Sequence, residues 1–203
     1  MSVVEFSSII KDIALAGAAV TTAFVAYSGV EKWQKELKGK ANFEVARELI
    51  KSIYKLRDEL GYCRSPFIAA AEFPEGYRGP LGNCTPDERG QAWAHVYSKK
   101  WVPIGNAMQG FDAAVLEAEA LWGNGIKDKA NELRQCVRYL QVDIEAIINN
   151  EYSDGEDFED RDFAKKVRSG VSDTKSKDNE LTSKINTAIE GLETEIQPHL
   201  ARS

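Results

Sequence analysis

Residues 86–122, PDERGQAWAHVYSKKWVPIGNAMQGFDAAVLEAEALW, decide the fold class. Trp93, Tyr97, Trp101, Ile104, Met108, Phe111, Val115, Ala118 and Trp122 recur at steps of three and four, the spacing that gathers side chains on one helical face. Thr85 can cap the start, Pro86 suits the first turn, and Asp87 and Glu88 complement the helix N-terminus. Pro103 lies inside the pattern and is expected to kink it near residues 99–100, because it removes a backbone hydrogen bond. Gly123-Asn124-Gly125 ends it, as a glycine cap does.

The same periodicity extends in both directions. Upstream, Phe43, Ala46, Leu49, Ile50, Ile53, Leu56 and Leu60 form one stripe, with Glu44, Arg47, Glu48, Lys51 and Lys55 between them for the wet face. Downstream, Ala130, Leu133, Val137, Leu140, Ile144 and Ile147 predict a helix over about 127–150. A last helix is expected over about 158–197, carrying Phe163, Val167, Val171, Leu181, Ile185, Ala188, Leu192 and Ile196. Its polar middle, 172–180, reads as a break or a projecting end. No strand-like alternation competes, so the chain reads as all-α, an antiparallel bundle of about four helices.

Residues 62–87 interrupt this pattern with Pro66, Pro74, Pro80 and Pro86 among several glycines. Phe67, Ile68, Phe73, Tyr77 and Leu81 give the loop more apolar material than a solvated linker needs, so it is expected to fold back on the bundle. Arg64, Tyr77 and Arg78 are its candidates for a polar contact with a partner; the alternative is that each arginine pairs with a nearby acid.

Residues 13–30, IALAGAAVTTAFVAYSGV, carry no charge over 18 positions. That is about the length a helix needs to span a bilayer. The organisation expected on this reading is a short segment 1–12, a transmembrane helix 13–30, a juxtamembrane helix 31–61, the loop 62–87 and the rest of the bundle, 88–203. Tyr27, Lys32, Trp33 and Lys35 suit the membrane interface. Lys32, Lys35, Lys38, Lys40 and Arg47 follow the run and only Lys11 precedes it, which puts the N-terminus outside and the bundle in the cytoplasm of a bacterial inner membrane. A cleaved signal peptide fits worse, since Glu5 and Asp12 occupy the segment that should be basic. The third reading is a helix buried in a protein assembly, which the six alanines and two glycines suit. Ala14, Gly17, Ala18, Thr21, Thr22 and Ala26 form a small-residue face through which such a helix can pair with another copy.

No catalytic or cofactor-binding constellation emerges. His95 and His199 are the only histidines, no CxxC or HExxH is present, and the acidic stretch 151–160 fails the calcium-loop pattern, with Asn150, Tyr152 and Arg161 at ligand positions. Glu132, Asp143 and Glu145 lack the ExxH arrangement of di-iron bundles. Neither a cofactor nor a metal is expected. A net charge of −6 with dispersed bases argues against nucleic acid. Cys63, Cys84 and Cys136, odd in number, fit free thiols better than a disulfide framework.

Gly29-Val30-Glu31-Lys32-Trp33, then Leu37-Lys38-Gly39-Lys40, Glu44-Val45-Ala46-Arg47, Tyr54-Lys55-Leu56-Arg57 and Arg64-Ser65-Pro66-Phe67 follow one another in order. This succession resembles uncharacterised bacterial proteins with one N-terminal transmembrane helix, a basic tryptophan junction and a helical cytoplasmic part. The likeness covers about residues 9–75 and implies location, not activity. The function expected is a non-enzymatic, membrane-anchored helical scaffold that binds itself or another protein. A membrane-perturbing effector or pore subunit of a bacterial defence or phage-linked system is the second reading, and a helical oligomer burying 13–30 the third.

Overall fold

The computed structural model describes the backbone of residues 3–200 apart from 78, 80–83, 159 and 174–178, and side chains from Leu15 onward. Five α-helices follow in order: α1 Val3–Cys63, α2 Pro86–Trp122, α3 Asn124–Tyr152, α4 Arg161–Val171 and α5 Glu180–Leu200. Single 3₁₀ turns at Ala70–Glu72 and Glu156–Phe158 complete the order, and no strand occurs among the described residues.

Side-chain pairings give the topology. Trp122 reaches Asn42 while Lys100 lies near Cys63, so α1 and α2 run antiparallel. Arg134 meets Asp112, and Arg89 meets Glu151 at 3.5 Å, which sets α3 against α2. Glu195 lies beside Gly125 and Lys184 over Tyr139, so α5 opposes α3. Tyr54 donates to Glu193 at 2.7 Å, closing α5 on α1. The result is an up-down-up-down bundle. Its core contains Leu49, Ile53, Leu56 and Leu60 of α1, Ile104 and Phe111 of α2, Leu133 and Leu140 of α3, and Leu192 and Ile196 of α5.

The connections follow local chemistry. Thr85 and Glu88 form a reciprocal capping box at the start of α2. Gly123, at φ +86°, makes the whole α2–α3 connection in one residue, a backbone conformation that favours glycine. The α2 helix continues unbroken through Pro103. In the acidic stretch, Glu151 and Asp154 pair with Arg89, and Asp160 caps α4 by accepting from the Asp162 and Phe163 amides.

Three expectations need correction. The single last helix is two, α4 and α5, because Ser172 leaves helical geometry and Asn179 restarts it. Phe163, placed on the buried face by its spacing, is 46% exposed and packs edge-on against Phe158. The largest correction concerns residues 13–30. Among the described residues no helix is long and apolar enough to cross a membrane. The uncharged run 13–30 is diluted by Gly17, Thr21, Thr22, Ser28 and Gly29. It spans about 27 Å, and Glu31 and Lys32 end it. The single-pass inner-membrane location, N-terminus outside, is therefore set aside. The bilayer as partner, the interfacial role of Tyr27, Lys32, Trp33 and Lys35, and the pore reading were argued from that span and lose its support.

Candidate functional site

α1 is one unbroken helix of 61 residues, about 90 Å long, and Gly39 does not interrupt it. The bundle grips it only from Asn42 onward. The preceding part is a rod that extends roughly 58 Å beyond the bundle. Leu15, Val20, Phe24, Val25, Tyr27, Val30, Trp33 and Leu37 are 47–73% exposed along it. An isolated helix gains little stability from its own propensity, and an apolar one is normally covered.

The predicted small-residue face lies on this rod. Gly17, Ala18, Thr21, Thr22 and Ala26 are all exposed, while the Ala14 side chain lies outside the described residues. Thr21 donates to the Gly17 carbonyl, Thr22 to that of Ala18 at 2.8 Å, and Ser28 to that of Val25 at 3.1 Å. The hydroxyls are thus satisfied within the helix, which leaves the outer surface effectively apolar. Lys35 pairs with Glu31 at 2.9 Å on the same rod.

A second pattern on the rod escaped the sequence reading. Ala16, Ala19, Ala23, Ala26, Val30, Trp33 and Leu37 advance by alternating steps of three and four, a heptad seam three turns of the repeat long. Continued into the bundle, the same stripe falls on Lys40, Glu44, Arg47 and Lys51, all exposed. The seam therefore faces away from the helices that pack on α1 and ends where the charges begin.

The loop candidates turn inward. Arg64 is 2% exposed. Its Nε donates to the Gly170 carbonyl at 2.7 Å and its Nη2 to Asn179 Oδ1 at 2.9 Å, with Asp173 Oδ1 3.9 Å from Nη1. Asn179 donates to the carbonyls of Ser169 and Ser172 and accepts from the Thr182 amide. Arg64 thus ties the end of α1 to the C-terminus of α4, where a cation is favoured, and to the cap of α5. Burial pulls its guanidinium below the ordinary arginine range, while Asp173 and Asp143 act in the opposite sense. Tyr77 stacks on Phe73, ring centroids 4.8 Å apart, and Phe73 meets Trp93 edge-on. Its hydroxyl is buried with no hydrogen-bond partner among the described residues, and burial raises its pKa. Arg78 lies outside the described residues.

One buried and one half-buried charge have no forewarning in a motif. Lys100, 3% exposed, reaches Glu72 Oε2 at 3.3 Å and lies over the Tyr62 ring. Its place at a core step between Tyr97 and Ile104 was the available signal. Asp143 rests against the Cα of Gly170 in a cleft of about 160 Å³ lined by Tyr139, Lys166, Ser169, Glu180 and Lys184. Burial raises its carboxyl to about 6; Lys166 and Arg64 pull it down and Glu180 pushes it up.

That shift carries a sign. The folded pKa exceeds the ordinary 3.8, so the folded state holds the proton more tightly. The stabilisation is complete below about pH 4 and is lost as pH rises through about 6. Replacing Asp143 by Asn should therefore stabilise the fold by about 1 kcal/mol at pH 8, discounted for partial solvent access, and by nothing at pH 4. Paired thermal melts of wild type and variant at the two pH values measure it; an equal difference at both would refute the assignment.

Among the described residues no three His, Cys, Asp or Glu side chains are grouped to hold a metal ion. His199 stacks flat on Trp122 at 4.0 Å, far from the Asp143 cleft in sequence. Comparison with protein-family models, with curated proteins and with solved structures finds no match.

Proposed function

We propose that this protein is a non-enzymatic helical scaffold that self-associates through the N-terminal rod of α1. The observation that carries the reading is the rod's exposed apolar surface, which begins where the bundle stops. A surface of this extent is a mark of interaction. The bundle then acts as the body that the rod brings into an assembly, closed by its own buried ties and needing no partner for its core.

The test is the molar mass of the full-length chain by sedimentation at micromolar concentration. Wild type should run as two copies or a multiple of two, against 22.6 kDa for one chain. Trp33→Asp should return it to one copy while the near-UV signal and melting of the bundle stay unchanged, since Trp33 lies outside the bundle. A wild-type monomer at those concentrations would remove the proposal.

A further inference from the structure

The rod's seam is graded. Its first four positions are Ala16, Ala19, Ala23 and Ala26, and its last three are Val30, Trp33 and Leu37. A coiled coil holds two helices at nearly constant separation, so each layer across the seam needs a similar total volume. Parallel pairing in register stacks alanine on alanine for four layers and then Trp33 on Trp33. Such a pair would have to be close and splayed within one heptad of the change.

We infer that the partner of the rod is a second copy of this chain laid antiparallel, in the register where paired residue numbers sum to 56. This rests on the self-association proposed above and specifies its geometry. Ala19 then faces Leu37 of the second copy, Ala23 faces Trp33, and Ala26 faces Val30. By the two-fold symmetry every layer is met again in reverse, so the small half of each seam receives the large half of the other. Gly29 falls beside the axis, where its hydrogen leaves room for close approach; no atom lies within 4 Å of a Cβ built there.

Three further observations fit this occupant. The seam's order is complementary to its own reverse, which a second copy supplies by symmetry and a foreign helix would need by coincidence. Glu31, Lys32, Lys35 and Lys38 lie off the seam, leaving Lys40 at its last position opposite Ala16, at the edge of the overlap. The apolar overlap of residues 16–40 runs about 37 Å and ends before Asn42, where the bundle begins, and residues 3–15 of each copy continue past it along the exposed face of Glu44, Arg47 and Lys51 of the other. Fourteen seam residues, at roughly 60–120 Å² for each of the large ones, bury on the order of 1,000 Å², near the lower bound of a stable interface. Phe24 and Val25 fall on the far side of the rod and stay outside this pairing.

Disulfide trapping in the full-length chain tests it. In a Cys84→Ser background, which removes the least buried native thiol, one preparation carries Ala19→Cys and another Leu37→Cys. Mixed and oxidised gently, the two should form the 19–37 cross-linked pair in at least tenfold excess over either preparation oxidised alone. Efficient cross-linking of Ala19→Cys with itself would mean a parallel pair and overturn the orientation while leaving self-association intact. A dimer by mass that forms neither cross-link would overturn the seam. A monomer by mass would instead remove the underlying reading.

Discussion

Replacing Arg64 by alanine should cost about 3–5 kcal/mol of stability, the largest loss expected from any polar substitution in this chain. The guanidinium is 2% exposed, and its Nε and Nη2 bond to the Gly170 carbonyl and Asn179 Oδ1. Truncation removes those bonds, opens a void the width of a long side chain, and leaves the Gly170 carbonyl without its side-chain donor and Asn179 Oδ1 with the Thr182 amide alone. Asn179 suffers with it, because that one side chain also holds Ser169 and Ser172 and caps α5 through the Thr182 amide. Arg64→Lys should recover less than half of the loss, since a single ammonium cannot serve a carbonyl and an amide oxygen at the angles a guanidinium spans. Urea titration at constant slope measures both. A cost below about 1 kcal/mol for Arg64→Ala would mean that α4 and α5 are positioned without it.

That role could not be read from the chain alone. Arg64 lies in a segment rich in proline and glycine, and its partners are two main-chain and amide oxygens more than a hundred positions away, which no spacing rule reaches. The helices were legible because periodicity is local. Leu181, Ile185, Ala188, Leu192 and Ile196 are buried as their steps require. In α2 the stripe was legible, and Tyr97, Ile104, Phe111, Val115 and Ala118 are buried as their steps require. Trp101, Met108 and Trp122 look like core by composition, yet the innermost positions are Tyr97, Lys100, Ile104, Ala107, Phe111 and Ala114, with the larger residues packed at the margin. Small residues at the centre let four helices approach, and hydrophobicity scales do not see that. The break between α4 and α5 was visible as a polar interval, but choosing between a break and a projecting end needed Asn179. The uncharged run at 13–30 was the plainest signal and the least decisive. Absence of charge says that a helix avoids water without saying what covers it.

The second large effect concerns Lys100 and Glu72, and its sign depends on which partner is removed. Glu72→Ala should destabilise the fold by about 3 kcal/mol, the lower end for breaking a buried pair, because Glu72 is itself 28% exposed. It leaves the Lys100 ammonium, 3% exposed, facing Tyr62 and Cys63 without its anion. It also frees the Ala69 amide, which donates to Glu72 Oε1 at 2.8 Å and closes the turn that docks the loop. Lys100→Met should cost less than about 1 kcal/mol. Methionine keeps the length of the stem in the core, and Glu72 left alone can still take the Ala69 amide and reach water. In the double variant the uncompensated charge is gone, so most of the Glu72→Ala penalty should disappear, leaving the lost turn contact. The double-mutant cycle then gives a coupling of about 2 kcal/mol. If the two losses instead add, Lys100 reaches solvent in solution through a displaced loop. Residues 62–85 would then be a flap on the bundle and not part of its wall.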